Sequence, residues 1–242
     1  MNRRTTIVFT IAAIALLAAV LCLDRAGLVP QLLLGASVWL LLGAVFVRHR
    51  QLAPETLIAI AIATTGECIL SLGLNIYGYR SGGVPLYVPP GHGVMYLMAL
   101  QVSAHLKRYE RLIVNATFIA GTIGAVAILA LFHDSFGFAC WIVTLMIAST
   151  SDRRLLMATC VAVTSVLEIA GTLVGNWRWH FDQGLLHSGN PPVGVVLLYC
   201  CLDLLTLMAL NAIMSRRQNA ACARTSETSE DESFDSTDRR AA

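Results

Sequence analysis

Eight apolar runs, separated by short polar loops that hold nearly all the charge, limit what this chain can fold into. They cover approximately residues 6–23, 28–47, 55–77, 88–106, 111–132, 136–151, 155–176 and 191–214, the sixth being the shortest. A bilayer core about 30 Å thick is crossed by a helix of roughly 20 apolar residues. In lipid the backbone polar groups must be satisfied within each segment, so runs of this length are helices. Charged residues make up 13% of the 242, against roughly 25% in soluble domains, too few to clothe a water-facing surface. The expectation is an all-α polytopic membrane helical bundle of about eight transmembrane helices, surrounded by membrane lipids. A formal charge of +2 gives no basis for a nucleic-acid partner. The first run follows Arg3 and Arg4, lacks a small-x-small cleavage site, and is succeeded at once by further runs, so it reads as a span.

The loops orient the spans, because basic residues accumulate on the cytoplasmic side. With the N-terminus inside, the cytoplasmic segments carry Arg3, Arg4, Arg48, Arg50, Lys107, Arg108, Arg111, Arg153, Arg154, Arg216 and Arg217. The outer loops carry Arg25, Arg80 and Arg178. This alternation predicts both termini in the cytoplasm and a cell (plasma) membrane location; seven or nine spans would break it. The segment 215–242 is polar and rich in Ser, Thr, Asp and Glu, the composition of a disordered cytoplasmic tail.

The third and seventh spans share a polar pattern. Thr64, Glu67, Ser71 and Asn75 have the spacing of Ser165, Glu168, Thr172 and Asn176, 101 positions later. Intervals of three or four residues fall on one helix face, so each span carries a polar stripe with an acid near its middle. Aromatic residues follow each stripe, at Tyr77 and Tyr79 and at Trp177 and Trp179. A Gly-rich loop and a proline pair, Pro89-Pro90 or Pro191-Pro192, then open the next span, where proline's missing N–H has no partner to lose. Gln101 and Asp203 occupy matching positions beyond those prolines. These matches predict two parallel four-helix repeats, 1–109 and 110–214, related by an axis along the membrane normal.

Ionisable groups at mid-bilayer cost on the order of 2.5–3.5 kcal/mol on insertion scales and usually mark function. Glu67 and Glu168 are therefore the candidate catalytic pair, joined by His92, which can exchange protons near neutral pH. Ser71, Asn75, Thr172, Asn176, Tyr79, Trp179, Gln101 and Asp203 are the candidate substrate-binding residues. The alternative is that the acids act as interhelical glue, hydrogen-bonded to neighbouring hydroxyls, and that the aromatic pairs anchor the outer interface. His133, Asp134, His180, Asp182 and His187 match no closed zinc spacing. The seven cysteines include no Cys-x-x-Cys pair. A Gly-rich phosphate loop with Lys, a Gly-x-Ser-x-Gly elbow and clustered His boxes are absent. No metal or cofactor is expected.

Glu67-x-x-Leu70-x-x-Gly73, Tyr77-Gly78-Tyr79 and Gly83-Val84-Pro85-Leu86-Tyr87-Val88-Pro89 together resemble a signature of the carotenoid-biosynthesis integral membrane proteins of the bacterioruberin-type hydratase group. Trp177-x-Trp179 resembles the Trp-x-Trp of that group's second half, although Asn190-Pro191-Pro192-Val193-Gly194 replaces its Gly-Val-Pro-Leu-like segment, and His92 stands where a Trp is expected. The resemblance implies acid–base chemistry on an isoprenoid double bond, such as hydration, with Glu67 or Glu168 as the acid and the other, or His92, orienting water. The same residues also suit a proton-coupled transporter of small solutes. A non-catalytic membrane scaffold or assembly protein is the third reading.

Overall fold

The structure, a computed structural model, describes residues 1–24 and 27–238, with side chains other than those of residues 217 and 220–238. Arg25 and the Arg217 side chain, both part of the loop charge pattern, lie outside the described residues. Eight α-helices account for most of the chain: α1 (Arg3–Leu23), α2 (Leu28–Arg48), α3 (Ala53–Glu67), α4 (Val88–Leu106), α5 (Glu110–Phe132), α6 (Ser135–Thr150), α7 (Arg154–Val174) and α8 (Leu197–Asp238). The protein is thus all-α apart from two short ladders, β1 (Tyr77–Tyr79) with β2 (Trp177–Trp179) and β3 (Asp182–Gln183) with β4 (Leu186–His187). The polar segment expected to be disordered is helical in its backbone through Asp238, and residues 239–242 lie outside the described residues.

Among the described residues, six helical segments are long and apolar enough to cross a membrane. One of them, Val88–Phe132, comprises α4 and α5 joined through a 3-10 turn at Lys107–Tyr109, and α6 is a shorter apolar helix of 16 residues. The helices are apolar on both faces. On α2, Leu34, Val38 and Leu42 are buried while Leu33, Leu40 and Val47 are exposed, Val47 by 76%. A helix that is hydrophobic all round belongs in a core or a membrane, and exposed apolar area on this scale is foreign to a soluble monomer. The protein is therefore a multi-pass membrane protein.

Four helices form the centre. α3 packs on α4 and α8, and α7 packs on the same two. Around them, α1 and α2 pack on each other and on α4, while α5 and α6 pack on each other, with α5 also on α7 and α6 on α8. There are two apolar cores. One gathers Phe9, Val38, Leu42, Ile60 and Met95 from α1–α4 with Leu156 and Cys160 of α7 and Tyr199 and Leu202 of α8, and the other gathers Ala125, Trp141, Val161 and Val196 from α5–α8 and the turn before α8, with Tyr77.

Asp134 ties the second group together. It is fully buried; its Oδ1 accepts from the N–H of Gly137 at 2.9 Å and of Gly189 at 2.8 Å, and its Oδ2 from the N–H of Val193 at 2.7 Å. The carboxylate thereby caps α6 and holds the segment leading into α8. Hydrogen bonds to a charged group contribute roughly 1.5–3 kcal/mol each and are not additive. Asp134→Ala is expected to cost about 2–3 kcal/mol in thermal or denaturant unfolding of the detergent-solubilised protein, and Asp134→Asn less.

Candidate functional site

The two mid-span acids line one cavity of about 500 Å³ among α1, α3, α4, α7 and α8. Its walls are chiefly apolar, with Leu17, Val20, Val38, Met95, Leu167 and Leu202 among them. Both carboxylates are nearly buried, Glu67 at 7% and Glu168 at 8% exposure. Each is held by the aromatic pair that follows it in the chain. Glu67 Oε2 accepts from the hydroxyls of Tyr77 and Tyr79, both at 2.7 Å. Glu168 Oε2 accepts from the indole N–H groups of Trp177 at 2.8 Å and Trp179 at 3.2 Å.

The backbone explains how one pattern serves both carboxylates. β1 and β2 pair antiparallel, Tyr77 opposite Trp179, Gly78 opposite Arg178 and Tyr79 opposite Trp177. The ladder is extended by Arg80 N–H to Asn176 C=O at 2.9 Å and His180 N–H to Ile76 C=O at 3.1 Å. Residues 76, 80, 176 and 180 exchange places in those two bonds, so the ladder has local two-fold character. It brings both aromatic pairs back over the acids, with Tyr77 and Trp179 rings 4.4 Å apart between centroids.

The register differs from the sequence expectation by one residue. Glu67 and Glu168 stand 101 positions apart, but Tyr77 and Trp177 stand 100 apart. The first half absorbs the extra residue in a π-helical turn, Cys68–Gly73, immediately after Glu67. There Leu74 N–H reaches Ile69 C=O, and Ile76 N–H reaches Leu70 C=O. The second half closes α7 more tightly, with Gly175 N–H on Thr172 C=O and Asn176 N–H on Gly171 C=O, the paired bonds of a Schellman cap. The left-handed cap residues are accordingly Asn75 (φ 50°) and Gly175 (φ 76°). Asn75 thus corresponds in conformation to Gly175, and pairing it with Asn176 is corrected.

Glu67 differs from Glu168 in its second oxygen. Glu67 Oε1 lies 3.4 Å from His92 Nε2, and His92 Nδ1 lies 3.0 Å from the Val88 carbonyl. A carbonyl only accepts, so Nδ1 carries a hydrogen and Nε2 faces the carboxyl group, where one proton can be shared. The His92 ring also stacks on that of Tyr199, at 5.7 Å between centroids. Glu168 Oε1 takes no hydrogen bond from the described residues.

Of the sequence candidates, Glu67, Glu168, His92, Tyr79 and Trp179 line the cavity. The others are elsewhere. Ser71 is buried in the π turn and Asn75 is exposed. The Thr172 hydroxyl donates to the Glu168 backbone carbonyl at 2.7 Å, and the Asn176 amide donates to the Leu21 carbonyl at 2.9 Å. Gln101 accepts from the N-terminal amine at 3.0 Å. Asp203 belongs to an ionic cluster: its Oδ1 lies 3.0 Å from Arg153 Nη1 and accepts from Tyr96 Oη at 3.0 Å. Glu55 Oε1 completes it, 3.1 Å from the Arg153 guanidinium and 2.9 Å from Tyr96 Oη. Tyr77, Trp177 and Tyr199 are the site residues that sequence reasoning left out. An aromatic-x-aromatic unit nine or ten positions after each acid was the available signal.

Gly171 makes room for this arrangement, since a Cβ there would collide with the six-membered ring of Trp177. Overpacking a formed core costs about 1–3 kcal/mol. Gly171→Ala is expected to destabilise by that amount and to detach the indole from Glu168, visible as a red shift of tryptophan emission.

No family model, curated protein or solved structure matches the chain.

Proposed function

We propose that this protein acts on an isoprenoid- or carotenoid-like lipid by acid–base chemistry in the intramembrane cavity. In this reading it crosses the cell membrane eight times as two parallel four-helix repeats, 1–109 and 110–214, with both termini cytoplasmic. Two features support the repeat: each mid-span acid is held by the aromatic pair that follows it, and α3 with α7 and α4 with α8 have matching roles at the centre.

The observation that carries the reading is the Glu67–His92 pair, 3.4 Å apart, in the wall of a chiefly apolar cavity. Its volume falls within the range of about 300–1,000 Å³ typical of ligand sites. Hydration of an alkene uses such a pair twice. The pair gives a proton to one alkene carbon; water adds through oxygen to the other; the proton released from that water returns to the pair. Comparative lipid profiling of a deletion strain and of the strain restored with the wild-type chain tests this. Accumulation of an unsaturated isoprenoid, cleared on restoration, is the expected outcome; identical profiles would remove the catalytic reading.

One observation favours proton-coupled transport of a small solute instead. The π turn interrupts the third span immediately after Glu67, and transporters build midplane sites on interrupted helices. Solute uptake into liposomes that follows an imposed proton gradient would select that alternative.

A further inference from the structure

We propose that the cavity is a binding site for an apolar chain carrying a single positive centre, admitted sideways from the bilayer between α3 and α8. This deepens the catalytic reading and rests on it only in taking the carbocation of a protonated alkene as the reactive form of that centre. An alkyl ammonium is its stable counterpart.

Charge decides the class. Two carboxylates line the cavity, and among the described residues no Lys or Arg does. An anionic headgroup would meet uncompensated acids in an apolar medium, where unpaired charge is most costly. Glu168 in particular offers Oε1 with no donor from the described residues, while its Oε2 is occupied by two indoles. Those indoles donate and never accept, so a proton has no relay through them. On the Glu67 side, two phenols and His92 both donate and accept. Glu67 with His92 is equipped to move a proton; Glu168 is equipped to face a cation. Tyr77, Tyr79, Trp177, Trp179 and Tyr199 also line the cavity, and aromatic rings stabilise a desolvated cation that lies over a ring face.

The route follows from exposure. Ala61, Thr65 and Ile69 on the α3 side, with Leu198 and Leu205 on α8, are exposed at the bundle surface and also line the cavity. On α3 and its π turn they recur every four residues, one helix face. At the end carrying the N-terminus, the Glu55–Arg153–Asp203 cluster binds α3, α8 and the start of α7 together. An apolar chain therefore enters from lipid through the α3–α8 seam.

The test uses the full chain in lipid nanodiscs with Trp39→Phe, leaving Trp141 as a buried reference away from the cavity. A bromine-tagged dodecyltrimethylammonium is compared with the brominated alcohol and sulfate of equal chain length, by quenching of Trp177 and Trp179. Wild type is expected to prefer the ammonium over the alcohol by roughly tenfold or more, as a desolvated cation–aromatic contact implies. Glu168→Gln, whose amide oxygen still accepts from both indoles, is expected to bring that ratio to near unity, and Glu168→Asp to retain part of it. Equal quenching by all three probes, or an ammonium preference untouched by Glu168→Gln, overturns the proposal. Failure of the catalytic reading is recognised separately: ammonium preference would persist while the lipid profile of the deletion strain stayed unchanged.

Discussion

Under the proposed acid–base function, Glu67→Gln is expected to lower formation of the lipid product by about 10²–10⁴-fold, the usual contribution of a positioned general acid or base, while leaving the protein folded. Glutamine preserves what the fold requires of Glu67, because its amide oxygen accepts from Tyr77 and Tyr79 where Oε2 does now. What it removes is the exchangeable proton opposite His92 Nε2. His92→Asn, lacking a titratable ring, is expected to act in the same direction and by no more than Glu67→Gln, since the proposed step moves one proton through both. The double variant should then be little worse than Glu67→Gln alone, as for groups acting as a unit. The measurement is product formed in membranes from matched expression levels. Full activity of Glu67→Gln would leave the acid as a structural hydrogen-bond acceptor.

The second large effect is on stability. Arg153 stands between Asp203, which is 1% exposed, and Glu55. Removing one partner of a buried ion pair leaves an uncompensated charge and costs about 3–5 kcal/mol. Arg153→Ala is expected to destabilise the detergent-solubilised protein by that amount, and Arg153→Met with Asp203→Leu to regain a substantial part. Tyr96→Phe tests the neutral member, whose single hydroxyl hydrogen lies within reach of both Glu55 and Asp203; a loss near 1 kcal/mol is expected for a net hydrogen bond. A loss below 1 kcal/mol for Arg153→Ala would show that water already replaces the guanidinium. These variants should change stability far more than the product profile, because Asp203 and Glu55 do not line the cavity.

That separation of Asp203 from the cavity shows where sequence reasoning stops. Helical period puts Glu67 and Glu168 at like positions of two similar stripes, because within one helix a face follows from spacing alone. It cannot say which side chain of a distant segment meets that face. Gln101 and Asp203 occupy matching positions after the proline pairs, yet one meets the N-terminal amine and the other Arg153. Tyr77 and Trp177 read equally well as interface anchors until the ladder folds them back onto the carboxylates. The single-residue shift shows in the sequence as a change of offset from 101 to 100, but where the chain takes up the extra residue is hidden for a related reason. It depends on the hydrogen-bond register of one helical turn, which apolar residues of similar size do not encode.

The cavity itself was legible as two acids and a histidine in three spans, but the contrast between the acids was not. By itself the sequence determined the solvent: apolar runs of membrane length cannot leave backbone groups unpaired in lipid, so they are helices wherever they pack. It also singled out Glu67, Glu168 and His92, because charge in such runs is expensive enough to be rare. Only the tertiary structure decided what each does. The Glu67 oxygens meet groups that both give and take protons, and Glu168 meets indoles that only give them. The physical reason is that a carboxylate's chemistry is set by the donors within about 3 Å of its oxygens. Here His92 reaches Glu67 from a separate helix, and a two-strand ladder joining the two halves folds both aromatic pairs onto the acids.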